Sequence, residues 1–146
     1  MIGVVGVAVL VLALGTVALA AGVASTHLKA TLNVGQEVPK PTVKAPGGTG
    51  TFTATLTGTK LTWKLSFQKL SGKAVAAHIH TGRVGKAGGV AVSLCGPCAS
   101  GVSGKATLSS AQVKAILAGG TYVNVHTAKN AGGEIRGQVT KAASRY

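Results

Sequence analysis

Histidines are the residues through which this chain could do chemistry. Ala76-Ala77-His78-Ile79-His80-Thr81-Gly82 carries two imidazoles two positions apart, and Gly120-Thr121-Tyr122-Val123-Asn124-Val125-His126-Thr127 carries a third. Side chains two apart on a strand share a face. His78 and His80 are therefore expected to point one way, with Val75, Ala77 and Ile79 pointing the other. In the second stretch Tyr122, Asn124 and His126 share a face opposite Val123 and Val125. If these strands are neighbours, His78, His80 and His126 converge on a patch outside the apolar core. Three imidazoles suit copper or zinc, which favour nitrogen donors, with water or another side chain completing the shell. Glu134 could accept from an imidazole N–H and set its tautomer, with Asn124 as a further supporting group. The same histidines have a scaffolding role open to them, the HIH segment bonding to backbone and His126 to Glu134 or a carbonyl.

Cys95-Gly96-Pro97-Cys98 spells a thioredoxin-like tetrapeptide. Redox chemistry needs that pair at a helix N-terminus, where the dipole lowers the thiol pKa. Here a strand-like run, Val90–Leu94, enters a Gly/Ser segment, and no amphipathic helix follows until Ser109. A local Cys95–Cys98 disulfide is the expectation, ahead of metal ligation or redox catalysis. Closing so short a loop contributes about 2 kcal/mol.

Composition removes most other chemistry. The 146 residues are 46% hydrophobic and carry 15 Lys plus Arg against two acids, Glu37 and Glu134, for a net charge of +13. With no aspartate anywhere, Ser-His-Asp triads, Asp dyads, Walker-B-type magnesium sites and EF-hand loops are excluded. A dinuclear copper–zinc dismutase site is excluded too, since it needs an aspartate and more than the four histidines present. No nucleophile has a recognisable base beside it, so the chain reads as a non-enzyme.

The elements that must position the histidines follow from period-two patterning. Phe52, Ala54 and Leu56 alternate with threonines, Gly58-Thr59 turns the chain, and Leu61, Trp63, Leu65 and Phe67 alternate with polar residues. Further strands are predicted at 28–34, 74–81, 90–95, 102–107, 121–127 and 134–140. One helix, Ser109–Ala118, has a serine cap, a Val113/Ile116/Leu117 face and Gly119 to stop it. Lys40–Gly50, with two prolines and three glycines, reads as a loop. The expectation is all-β: an antiparallel sandwich or barrel of about eight strands with one short helix.

The two histidine stretches, the second continuing through Asn130 to Gly133-Glu134-Ile135-Arg136-Gly137-Gln138, together resemble the CHRD domain, a module widespread in bacterial exported proteins. Leu32-Asn33-Val34-Gly35-Gln36-Glu37-Val38-Pro39 is similar to that family's opening strand and turn. The resemblance covers about residues 28 to 140, with Ala131 standing where the family commonly has proline. It implies an immunoglobulin-like β-sandwich outside the cell and says little about activity.

Met1–Ala24 contains no charged side chain and ends in small residues, as an export signal does, although the usual basic start is missing. Uncleaved, it is long enough for a membrane anchor. Residues 25–146 are then a single secreted or envelope domain. Cleavage after Ala24 would make His27 the third residue, where amine, amides and imidazole can form a square-planar copper site. Scattered lysines and sparse aromatics disfavour nucleic acid. A field of this sign attracts anionic envelope polymers, and a protein partner is also open. Membrane contact is expected only through an uncleaved N-terminal segment. The leading reading is a non-catalytic binding or structural module at the cell envelope; the alternative is a mononuclear copper or zinc protein using His78, His80 and His126.

Overall fold

Residues 22–42 and 47–143 are described by this computed structural model. In chain order they form β1 (Ser25–Asn33), β2 (Thr49–Thr57), β3 (Lys60–Gln68), β4 (Ala74–Thr81), β5 (Val90–Cys95), β6 (Val102–Thr107), helix α1 (Ser110–Leu117), β7 (Thr121–Thr127), β8 (Ile135–Gln138) and β9 (Thr140–Lys141), with a 3₁₀ turn at Val34–Gln36 after β1. The threonine/apolar alternation predicted the β2–β3 hairpin. Its register pairs Thr57 with Lys60 and Thr49 with Gln68, so Phe52, Ala54, Leu56, Leu61, Trp63 and Leu65 all face inward and are buried. Burying each large side chain contributes about 1.5–3 kcal/mol. α1 is held by a capping box in which Ser109 and Gln112 bond each other's backbone. It ends at Gly119, whose φ of 68° suits a residue without Cβ.

All pairings are antiparallel, in the order β5-β4-β7-β8-β1-β2-β3-β6, with β9 beside β1. The all-β expectation holds, but the arrangement is barrel-like: one nearly closed nine-stranded sheet around a single core rather than two separate sheets. The physical reason lies at β8. The predicted strand 134–140 splits at buried Val139, with β8 pairing to β7 and β9 pairing to β1. The chain thereby crosses between a four-stranded half, β5-β4-β7-β8, and a five-stranded half, β1-β2-β3-β6 with β9 beside β1, and a single pair, Asn33 with Arg136, joins β1 to β8 directly.

Between β5 and β6 the Cys95–Cys98 disulfide is formed, as expected. Cys98 N–H donates to the Ala74 carbonyl at 3.1 Å and Gly101 N–H to the Leu65 carbonyl at 2.9 Å. The short cross-linked loop thus ties the start of β4 to β3, and no helix follows the cysteines until Ser110.

One expectation about the strands is corrected. Val75 does not share the inward face of Ala77 and Ile79: the β4–β7 ladder passes from Ala74 to Ala76, leaving Val75 in a bulge and 44% exposed. Ser25, Thr26 and His27 are laid along β2 opposite Thr57, Leu56 and Thr55, and His27 Nδ1 lies 3.2 Å from Thr55 Oγ1. The export segment Met1–Ala24 lies, through residue 21, outside the described residues. Among the described residues no helix is long and apolar enough to cross a membrane.

Candidate metal centre

β4 and β7 are neighbours, and their register places His80 opposite Tyr122, His78 opposite Asn124 and Ala76 opposite His126. The three histidines meet on the face away from the apolar core, with one ligand nitrogen from each within 4.8 Å of the others. Each ring has its own support. His126 Nδ1 sits 2.9 Å from the Ala131 carbonyl and His80 Nδ1 sits 3.0 Å from the Gly88 carbonyl. A carbonyl only accepts, so both Nδ1 atoms carry protons, which in the neutral ring leaves the Nε2 lone pair facing the cluster. His78 Nδ1 lies 3.1 Å from His126 Nε2 and donates to it. His80 Nε2 is buried and has no hydrogen-bond partner.

The loop after β4 covers this face because glycine lets it. A Cβ on Gly88 would lie 1.9 Å from the Thr81 carbonyl oxygen, so only glycine brings its own carbonyl down onto His80. The His80 ring stacks on Tyr122 at 5.1 Å and 6°, and the Arg136 guanidinium lies 3.4 Å from the centre of the Tyr122 ring. Arg136 in turn donates to the carbonyls of Arg83 and Lys86, pinning the same loop. Burial pulls His78 below the usual imidazole range, and the neighbouring His126 and His80 add to it. Burial also lowers His126, outweighing the Ala131 bond, which raises it. Both therefore stay neutral, the form that ligates metals.

Of the predicted supporting groups, Asn124 stands beside the histidines but serves a different carboxylate. Its amide bonds Glu37, which reaches in from the turn after β1 and is only 1% exposed. Glu134 does not touch an imidazole, which corrects the expected carboxylate–histidine contact. It accepts from Ser71 N–H (2.6 Å), the Ser71 hydroxyl, Thr127 Oγ1 (2.6 Å) and Asn130 Nδ2 (3.0 Å). Thr127 lies on the Val123/Val125 face of β7, so the carboxylate closes the core side of the loop. His126 takes the Ala131 carbonyl instead.

Sequence reasoning missed Glu37. Burial drives its carboxyl up to about 7, against the lowering pull of Arg136, Val38 N–H and Asn124. Its Oε1, Asn124 Oδ1 and Arg136 Nη1 all lack partners in the protein. The available signal was that one of only two acids sits inside a motif, yet it lies 41 positions before His78, too far for any spacing rule to connect them.

Comparison with curated proteins and with solved structures returns no match. The family model of the CHRD domain matches residues 28–139. That span runs from β1 to the crossing at Val139 and contains all three clustered histidines, both glutamates and Arg136; the chain belongs to the CHRD domain family.

Proposed function

We propose that this CHRD domain is a non-catalytic, extracytoplasmic module that binds one copper or zinc ion through His78, His80 and His126. The observation that carries the reading is His80 Nε2: a buried lone pair, aimed by the Nδ1–Gly88 bond, without a partner and within reach of two other imidazoles. Leaving such an acceptor unmet costs about 1–3 kcal/mol, which a bound ion relieves. The 3.1 Å between His78 Nδ1 and His126 Nε2 is close to the roughly 3.3 Å separating two nitrogens held 2.0–2.1 Å from a tetrahedral ion. Ligation through His78 Nδ1 moves its proton to Nε2. Family membership supports a module without catalysis, and the Cys95–Cys98 disulfide supports a place outside the reducing cytoplasm.

A second reading has an observation of its own. The His78–His126 bond and the two carbonyl anchors are what a purely structural cluster would use. The domain would then act only by binding a partner elsewhere on its surface.

Metal content and thermal melting of the purified protein, in chelator and with stoichiometric Cu²⁺ or Zn²⁺, separate the two. A metal site gives one equivalent bound. At a free metal concentration 100-fold above Kd it stabilises by about 2.7 kcal/mol, a melting shift of about 10 °C for a domain this size. The shift vanishes in the His78→Ala/His80→Ala/His126→Ala variant, with circular dichroism showing that variant folded. No binding heat and no shift with either ion would overturn the metal reading and leave the histidines as scaffold.

A further inference from the structure

Away from the β4–β7 histidine cluster, the half-sheet β9-β1-β2-β3-β6 turns a broad outer face to solvent. Alternation puts the apolar residues of these strands inside, and what remains outside is chemically narrow. β2 contributes its five alternate threonines from Thr49 to Thr57, β3 contributes Lys60, Thr62, Lys64, Ser66 and Gln68, and β6 contributes Ser103, Lys105 and Thr107. β1 adds His27, Lys29 and Thr31. Among the described residues the face holds no acidic side chain; Ala142, beside His27, is its one apolar member, the His27 imidazole is its one aromatic ring, and Trp63 beneath the groove is buried.

Four lysines make a zigzag across it. Lys29 and Lys64 flank Thr53 in one row, Lys105 sits opposite Thr62, and Lys60 sits opposite Thr107. Strand spacing and rise place successive lysines about 8–10 Å apart. One shallow groove on this face runs past Lys29, Thr53, Thr55, Thr62 and Lys64, and another past Lys60, Thr62 and Lys105. No carboxylate side chain offsets these charges anywhere on the surface: both glutamates of the chain are buried, while every lysine among the described residues is exposed. The lysines therefore repel one another until an external anion arrives.

We infer that this lysine–threonine face is a binding surface for a linear acidic polysaccharide carrying carboxylates along its length. Each alternative polyanion lacks something the face would have to offer it. A lipid surface needs large apolar side chains to insert beside the basic ones, and single-stranded nucleic acid needs successive aromatic platforms for its bases; the methyl group of Ala142 and the single His27 ring supply neither. A neutral glycan leaves the lysines unpaired. Threonine hydroxyls both donate and accept, matching sugar hydroxyls that do the same, whereas phosphate oxygens only accept.

The test titrates the purified protein with polygalacturonate at low salt, with dextran as the neutral comparison and polyphosphate and phosphatidylglycerol vesicles as competing polyanions. The variant Lys29→Gln/Lys60→Gln/Lys64→Gln/Lys105→Gln is expected to lose roughly thirtyfold in affinity, from four exposed pairs of ordinary strength. The variant Lys73→Gln/Lys86→Gln/Lys114→Gln/Lys129→Gln, with the same charge removed elsewhere, keeps nearly all of it. Thr53→Val/Thr55→Val weakens polygalacturonate binding and leaves polyphosphate binding unchanged. Raising salt from about 20 mM to about 300 mM abolishes the interaction. Equal loss in both lysine variants would overturn the face as the site. Tighter binding to polyphosphate or vesicles, or binding to dextran, would overturn the choice of partner. Because the face lies apart from the β4–β7 histidine cluster, the His78/His80/His126 alanine variant binds polygalacturonate normally, so this inference and the metal reading fail independently.

Discussion

Replacing Glu37 with glutamine isolates the ionisation of one buried carboxyl. Its pKa rises from 4.5 in the unfolded chain to about 7 in the folded one, because burial penalises the charged form more than Arg136, Val38 N–H and Asn124 favour it. The native state therefore holds the proton over a window in which the unfolded state has released it. The stability this gives is fully present below pH 4.5 and is lost as pH rises to about 7. At 1.36 kcal/mol per unit, the loss across that window is about 3 kcal/mol. Glutamine mimics the neutral acid in size and cannot ionise, so Glu37→Gln avoids the loss. A constant offset from altered hydrogen bonding is immaterial, since the readout is how the difference between the proteins changes with pH. Urea unfolding of both proteins between pH 4 and pH 8.5 should show the variant gaining about 3 kcal/mol on the parent across the range. Every other titratable group is common to both proteins and cancels. A pH-independent difference would refute the reasoning, and so would a variant that loses ground as pH rises. Either result would mean that Glu37 is ionised in the folded protein, with Arg136 outweighing burial.

Glu134 should behave with the opposite sign. Burial alone raises its carboxyl, but Ser71, Thr127 and Asn130 outweigh it and leave the pKa lowered, so its contribution is present at neutral pH and lost as pH falls through the folded value. Glu134→Gln is expected to destabilise at pH 7, and the deficit should shrink under acid; a deficit unchanged from pH 7 to pH 3 counts against this. At Gly133, with φ of 130°, a Cβ would come within 2.6 Å of Asn124 Nδ2 and 2.7 Å of Glu37 Oε1. Gly133→Ala should cost about 2 kcal/mol or more in urea unfolding, and a near-neutral result would show that the Glu37–Asn124 contact can shift freely.

The strands, the helix and the disulfide were legible because they are local events. Alternation at period two in 51–57 and 61–68, a serine cap with a glycine stop around α1, and two cysteines three apart each depend on neighbours within a few residues. The family could be read as well, because the motifs that carry it are contiguous runs of residues. Even the sharing of a face by His78 and His80 is a property of one strand. Tertiary structure alone decided how these pieces act on one another. The bulge at Val75 and the crossing at Val139 arise from ladders between strands far apart in the chain, and the crossing turns an expected sandwich into a nearly closed barrel. The two glutamates show the limit most clearly. Glu134, next to the histidine motif in sequence, faces Ser71 from a distant loop, while Glu37, remote in sequence, lies against Asn124. Burial and long-range pairing set the partners of a charged group, and neither is encoded in the spacing of residues along the chain.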